Sequence, residues 1–401
     1  MAPYCTIIPK YVLEGIIEKG LAPQNIINRC QSTIEQTDQL HNVRGSFRQS
    51  IAAAQQQQTS QGIIPPYILE SISRNAVDEQ QREAARHTLA HRTEARAVAG
   101  NVRRLYRTVY DAQNSRRNPP PKDKTVLKEG DELISATADP TNNANECYIG
   151  LGKTFDFFFN FFKRNSIDNK GMDLNGFVHA GDLYNAFWDG EQLVFGDGDG
   201  VVFNGFTDEL DVIGHELSHG VVQYTSPLNY QYQSGALNES IADSFGIMVK
   251  QWGEATPQTV DQSNWLIGEG LWAKGINGKA LRDMKNPGTA YKDKKVGEDR
   301  QPGHWRDFKR LPLSDDGGGV HINSGIPNHA FYLAATKIGG YAWEGAGPIW
   351  YRALTCGKLR ENATFKEFAD LTIENANEHV DEVKEAWRLV GYPFPEKNHE
   401  L

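Results

Sequence analysis

Cysteine is scarce: there are 4 in 401 residues, and no two form a CxxC pair. Cys5, Cys30, Cys147 and Cys356 are too scattered for a disulfide framework or a thiolate zinc site. Cys5, beside an unusual N-terminal repeat, could cap a metal, but a plain reduced thiol is the reading adopted for it. Long apolar runs are missing too. The richest, "FDFFFNFF" (Phe155 to Phe162), is far too short to cross a bilayer and is expected to be a buried core element. Positive charge is not in surplus. A formal net charge of −9 argues against nucleic acid as a partner, because phosphate binding needs a basic surface. The one basic cluster, "RRLYR" (Arg103 to Arg107), is expected to be a solvated linker. The first residues, "MAPYCTIIPKYVLEG", lack the basic start, apolar stretch and small-residue cleavage site of a secretory leader. The expectation is a protein that is cytoplasmic or exported by a non-classical route, with no membrane insertion.

What is present is more informative. "TIIPKYVLEGIIEKG" (Thr6 to Gly20) returns fifty-six positions later as "GIIPPYILESISRNA" (Gly62 to Ala76), with seven identities that include Pro9/Pro65, Tyr11/Tyr67 and Leu13/Leu69. A low-complexity "IAAAQQQQTSQG" separates the copies and reads as a flexible spacer, followed by a charged helical run from Val77 to Ala99. From about Tyr106 to Thr207, Gly, Asn and Asp punctuate short aromatic and β-branched segments, which indicates strands and turns with one or two helices. After Asp208 long helical patterns dominate. The body is therefore expected to be α+β, a β-rich half followed by a helical one, with the chemistry at their junction.

At that junction lies "HELSH" (His215 to His219). On a helix, residues four apart share a face, so His215 and His219 can reach one metal ion. Neutral imidazole suits Zn²⁺, which in catalytic sites keeps three protein ligands and one open position. Glu216 stands about 100° round the helix, at the edge of that face, placed to take a proton from a water beside the metal. Two ordinary helix histidines are the bland alternative. Twenty residues past His219, in "GALNESIADSFG", Glu239 and Asp243 are again four apart. Glu239 suits a third zinc ligand, and Asp243 could accept the other N–H of a ligand histidine and fix its tautomer. A solvated acidic face is the alternative, opposed by the apolar neighbours Ala236, Leu237, Ile241, Phe245 and Ile247.

These segments, with "NAFWDGEQLVFGDGDG" (Asn185 to Gly200) and "DDGGGVHINSGIPNHAFYL" (Asp315 to Leu333), resemble the thermolysin family of zinc metallopeptidases over about Tyr106 to Tyr392. The resemblance implies a two-lobed body: a β-rich N-terminal lobe over 101–225 carrying the zinc helix at the cleft, and a mainly helical lobe over 226–401. It implies one catalytic Zn²⁺ on His215, His219 and Glu239, Glu216 as general base, and His321 as oxyanion donor held by Asp316. Tyr230 matches a second oxyanion donor, with Tyr232 as its rival. Asn185 and the backbone of Ala186 would hold the substrate chain and Arg282 a substrate carbonyl. Phe203, Phe206, Val212, Ile267 and Leu281 would line an apolar pocket, implying cleavage of peptides and proteins before large hydrophobic residues. Two departures put calcium in doubt. Lys250 stands where the family's paired calcium site has an acid, and Asn264 and Leu266 replace two more, so that site is expected to be lost. No acid stands near Lys279 for a second loop.

Family enzymes are made as precursors, and "IIPPYILESI" resembles the short pro-segments of the protealysin-like subgroup. Residues 1–100 are therefore expected to be a pro-segment and intramolecular inhibitor, removed between about Ala90 and Arg104. The second copy, with its stiff Pro65–Pro66, is expected to be the latency device, and the first to be redundant or bound elsewhere. The rival readings are a permanently plugged, silent binding module and a zinc hydrolase of non-peptide substrates.

Overall fold

The computed structural model describes residues 5–38, 103–115, 120–137, 139–181 and 183–394. The second repeat copy, the Gln tract, the charged run from Val77 to Ala99 and most of the expected processing stretch lie outside the described residues.

A six-stranded sheet forms one wall. Its strands are β1 (Cys5–Thr6), β2 (Arg107–Asp111), β3 (Thr125–Lys128), β4 (Leu174–Val178), β5 (Ala186–Trp188) and β6 (Leu193–Phe195), in the order β1-β5-β6-β4-β2-β3. β2, β4 and β6 run parallel, while β1, β3 and β5 pair antiparallel with their neighbours. The edge next to β5 is thus occupied by Cys5 and Thr6. β1 leads into helix α1 (Lys10–Lys19), which starts after Pro9, buries Val12, Leu13 and Ile16 and ends at a left-handed Gly20. A second helical stretch, α2 (residues 24–38), is tied to α1 by Lys10 and Asp38 (2.8 Å). It is tied to the body by Thr33 Oγ1, which accepts from the Tyr184 N–H at 3.0 Å.

"FDFFFNFF" is the end of α3 (Asn143–Phe162), with Phe155, Phe157 and Phe158 buried. This matches the expected core element. α3 packs on both the sheet and α4 (Leu210–Gln223), which lies against α5 (Tyr232–Gly253). Gly214 and Gly246 let α4 and α5 meet closely. A Cβ on Gly246 would come within 2.7 Å of the Asp211 carbonyl oxygen, and one on Gly214 within 3.1 Å of Gly246 itself. The helical half continues through α6 (Asp316–Asn323), α7 (Gly325–Ile338), α8 (Ala346–Thr355), α9 (Phe365–Glu374) and α10 (Val380–Leu389). α9 begins with a capping box in which Thr364 and Glu367 satisfy each other's backbone N–H groups.

The basic cluster is not a solvated linker. Arg107 opens β2, is bidentate to Glu129 (2.6 and 2.8 Å) and lies 3.8 Å over the Tyr148 ring. Planar guanidinium stacking of that kind is structural, and Arg103 and Arg104 pair outward with Asp156 and Asp173. Lys250 lies among three carboxylates. Its Nζ sits 3.1 Å from Asp211, 3.4 Å from Glu209 and 3.6 Å from Glu269, and Asn264 also donates to Glu269. Burial alone would lower the lysine pKa, but Asp211 and Glu209 outweigh it and raise it well above the ordinary range. Removing one partner of a buried ion cluster leaves uncompensated charge. Lys250→Met is therefore expected to cost about 3 kcal/mol of unfolding free energy, read from urea unfolding of the full chain. An unchanged midpoint would show that the carboxylates manage without the ammonium.

Candidate active site

α4 and α5 supply three groups to one point. His215 and His219, one turn apart, bring their Nε2 atoms to 2.9 Å, and each lies 3.5 Å from an oxygen of Glu239. All three side chains are buried. Both histidines are held from behind. His215 Nδ1 lies 2.8 Å from Asp243 Oδ1, and His219 Nδ1 lies 2.8 Å from Asn238 Oδ1. Burial, then the neighbouring His215, lowers the His219 pKa well below its ordinary value, which keeps the imidazole neutral. Glu239 Oε2 is buried with no hydrogen-bond partner. Two imidazoles and an unsatisfied carboxylate oxygen in a buried cluster fit a tetrahedral zinc, whose nitrogen ligands stand about 3.3 Å apart.

Glu216, on the same helix, faces the sheet. Its Oε2 accepts the Trp188 backbone N–H at 2.9 Å, while Oε1 is buried without a partner. Burial and then the charge of Glu239 raise its pKa well above the usual carboxylate value. A bound cation would oppose both effects.

The loop "DDGGG" builds the opposite wall. Gly317, Gly318 and Gly319 all take left-handed backbone (φ 60, 82 and 87°), which only glycine adopts without strain. Asp316 is thereby folded back onto α6. Its Oδ2 accepts the backbone N–H groups of His321 (2.9 Å) and Ile322 (3.1 Å), and its Oδ1 meets His321 Nδ1 at 2.5 Å. Burial acts to lower the His321 pKa, but Glu239 and Asp316 outweigh it and raise it to about 9, so the ring stays a double donor at neutral pH. Tyr230 donates to Glu239 Oε1 and lies 3.1 Å from His321 Nε2. Its rival Tyr232 is 48% exposed at the start of α5, outside this cluster.

The substrate-holding candidates are also in contact with a chain, and that chain is the protein's own N-terminus. Cys5 and Thr6 pair antiparallel with Trp188 and Phe187, and the Ile7 N–H donates to the Ala186 carbonyl at 3.1 Å. Asn185 brackets Ile8, accepting its N–H at 2.8 Å and donating to its carbonyl at 3.1 Å. Arg282 donates to the Ile7 carbonyl (3.1 Å) and is bidentate to Asp243, 2.7 Å at each contact. His321 Nε2 lies 2.8 Å from the Thr6 carbonyl oxygen. Phe203, Phe206, Val212, Ile267 and Leu281 are all at most 2% exposed and belong to the same apolar core as Ile7. They do not line the open part of the cleft. That part is a cavity of about 620 Å³ lined by Thr6, Ile8, Asn185, Tyr230, Asp316 and His321 among others.

The structure runs against the expectation that the first copy, if not redundant, is bound elsewhere. Thr6, Ile7 and Ile8 of that copy lie in the cleft. Sequence reading also missed the Trp188 N–H on Glu216, Asn238 behind His219, and the pairing of Asp243 with Arg282. Asn238 adjoins Glu239 on a helix, which was a usable signal; the other two contacts cross between distant segments.

Residues 73–223 match the family model described as thermolysin metallopeptidase, catalytic domain, and 226–392 that described as thermolysin metallopeptidase, alpha-helical domain. The chain belongs to the thermolysin family of zinc metallopeptidases. It is 44% identical over 363 residues to "Protease PrtS" of Photorhabdus sp. (strain Az29), a match spanning 84% of this chain and 93% of that protein. It is 44% identical over 348 residues to an "Extracellular metalloprotease" of Pectobacterium carotovorum subsp. carotovorum, covering 82% and 95% of the two. Among solved structures it is similar to the precursor of protealysin, a metalloproteinase from Serratia proteamaculans, with 47% identity and a TM-score of 0.67, covering 83% of this chain and 99% of that one. The family assignment makes the protein a thermolysin-like zinc metalloendopeptidase and establishes the thermolysin-like α+β fold.

Partners behind zinc ligands fix their orientation and basicity, and losing one typically costs 10- to 100-fold in affinity. Asp243→Asn is expected to weaken zinc binding by about that factor, measured by competition with a chromophoric chelator. Unchanged affinity would mean that α4 orients His215 unaided.

Proposed function

We propose that this chain is the latent precursor of a neutral endopeptidase and that its first repeat copy, not its second, keeps it silent. The observation that carries this reading is the Thr6–Ile8 segment laid along β5 as an added strand, with its carbonyls on His321 and Arg282 and its Ile8 amides on Asn185. Main-chain bonding to a sheet edge is a general way to hold an extended peptide. A substrate would be held by the same donors and acceptors, so the two compete.

In the released enzyme His215, His219 and Glu239 would hold the zinc, which would supply Lewis acidity and a more acidic water. Glu216 takes the proton of the attacking water on its unpartnered Oε1, while the Trp188 N–H fixes the other oxygen. His321 and Tyr230 donate to the carbonyl oxygen as negative charge grows there; Asp316 holds the histidine as a double donor. Arg282 and Asn185 keep the next two residues extended. The His321 contact makes Thr6–Ile7 the bond addressed, so Ile7 stands where a substrate places the residue after the cut. Its burial among apolar side chains supports cleavage before large hydrophobic residues. Lys250, among Glu209, Asp211 and Glu269, supplies the positive charge that a calcium ion would bring, so no calcium is needed there.

Two experiments test this. Glu216→Gln is expected to lower peptide hydrolysis by at least about a thousandfold at unchanged zinc content. A matched pair then asks which copy inhibits. Ile7→Asp in the full chain is expected to give activity without a lag, whereas Ile63→Asp leaves the lag and the shortening seen by mass spectrometry as they were. The reverse outcome would return latency to the second copy.

A further inference from the structure

A segment that inhibits by imitating a substrate faces a chemical problem. Its Thr6 carbonyl rests on the oxyanion donor and its Ile7 carbonyl on Arg282, so Thr6–Ile7 is presented for hydrolysis at its own active site. Something must keep that bond from being cut. The residue before it is Cys5, and its position is unusual. Cys5 lies opposite Trp188, whose N–H holds the catalytic base, and it is wholly buried. One ligand atom each from Cys5, His219 and Glu239 lie within 4.8 Å of one another. Two of these three, His219 and Glu239, also form the cluster with His215 described above, so the thiol joins the same point.

We propose that the Cys5 sulfur is the fourth ligand of the zinc in the full-length chain, closing the position that hydrolysis needs open. The inference rests on the latency reading above and deepens it.

Three observations carry it besides the thiol. Glu239 Oε2 is fully buried and without a hydrogen-bond partner, as suits an oxygen that ligates the metal the sulfur would share. The donor set that results, two imidazoles, a carboxylate and a thiolate, is one that zinc takes tetrahedrally, with Zn–S about 2.3 Å and Zn–N about 2.0–2.1 Å. The repeat also discriminates between its copies. At the fifty-six-residue offset, Cys5 aligns with Gln61 and Thr6 with Gly62, so the second copy keeps the aliphatic and Tyr positions but lacks the thiol. The other cysteines have no such surroundings. Cys147 is packed against Gly176 in the sheet core, Cys30 is buried on α2, and Cys356 is exposed at the end of α8.

The step balances simply. On capping, the S–H bond breaks, the sulfur–zinc bond forms and the proton leaves to solvent. When the segment withdraws, that bond breaks, the sulfur is reprotonated and a solvent water takes the vacated position. The thiolate thus does two things at once: it anchors β1 at its first residue and it excludes the water that would cut Thr6–Ile7.

The test uses full-length protein carrying Glu216→Gln, so that it cannot shorten itself, with zinc replaced by cobalt(II). A thiolate-to-cobalt charge-transfer absorption is expected in the near ultraviolet, lost in Cys5→Ser and Cys5→Ala and kept in Cys356→Ser. X-ray absorption on the zinc form should show one sulfur at about 2.3 Å, absent from both Cys5 variants. With Glu216 intact, Cys5→Ser is expected to yield a product beginning at Ile7 and to reach full activity about tenfold sooner, the factor that loss of about 1.4 kcal/mol of anchoring would give. Thermal melts of the variants confirm that the body still folds. No sulfur in the metal shell of the full-length chain, or a signal that survives both Cys5 substitutions, would overturn the proposal. Latency is read separately. A sulfur-free shell in a precursor that stays inactive until shortened leaves the first copy as a plain steric inhibitor, whereas full activity at full length would sink the latency reading itself.

Discussion

The Asp243 carboxylate is the contact on which the rest of this cleft depends. It is completely buried, yet four donors share its two oxygens: His215 Nδ1, two nitrogens of Arg282 and the Asn328 amide. One charge therefore fixes His215, the Arg282 donor to the Ile7 carbonyl and the position of α7. Burial would raise its pKa, but Arg282 and His215 hold it far below the usual carboxylate range. A buried ion pair of this kind adds little net stability, because desolvating two charges offsets their attraction. What it provides is geometry. The Arg282 fork has one orientation in which it can be bidentate to Asp243 and still reach the Ile7 carbonyl with Nη1. The close approach of α4 to α5 at Gly214 and Gly246 lets His215 and Asp243 meet across the helix pair at all.

A second constraint follows from the sheet. β5 is three residues long and would be an edge strand with unpaired amides. Such an edge is a template for any extended chain, which a peptidase needs and a stored precursor must guard. Covering it with the protein's own first strand meets both demands with one set of bonds. α1 and α2 then keep the strand in place through contacts far from the chemistry, such as Tyr11 beneath Arg300 and Arg29 over the Tyr184 ring. Tyr11 is the tyrosine shared by both repeat copies, so its role here is to dock the segment on the body.

Much of the site was legible in sequence because helices convert spacing into geometry. His215 and His219, and Glu239 and Asp243, are each four apart, and a regular helix leaves no choice about which face they share. The Asp316–His321 pair was legible through resemblance alone; the physics behind it is a run of three left-handed glycines that no periodicity signals. What stayed hidden joins distant parts of the chain. The contacts of Ile8 with Asn185, Ile7 with Arg282 and Thr6 with His321 span 177, 275 and 315 residues. The copies share both isoleucines, Ile7/Ile63 and Ile8/Ile64, so those positions do not say which copy makes the contacts. The paired prolines of the second copy suggested a stiff plug, but they align with Pro9 and Lys10, whereas the strand is made by Ile7 and Ile8, whose counterparts Ile63 and Ile64 precede the prolines. "RRLYR" failed for a similar reason, since charge density cannot reveal a guanidinium stacked on a tyrosine forty-one residues away.

Lys250 shows how a covalent charge differs from a bound ion. An ion stabilises a fold by mass action, so its contribution falls as its free concentration falls. A lysine ammonium is delivered with the chain, loses no translational freedom at this step and cannot be chelated. It is also a weaker organiser. It brings one charge and three donors where calcium brings two charges and six to eight ligand positions. The cluster reflects that difference. Glu209 and Asp211, both close to Lys250, remain near enough to each other that burial and mutual repulsion raise the Glu209 pKa to about 7. The Glu209 carboxyl also accepts the Gly270 N–H, and Asp211 accepts that of Gly268, so the backbone supplies donors the single ammonium cannot. A loop that wraps its own amides around the acids is what lets one lysine hold them together.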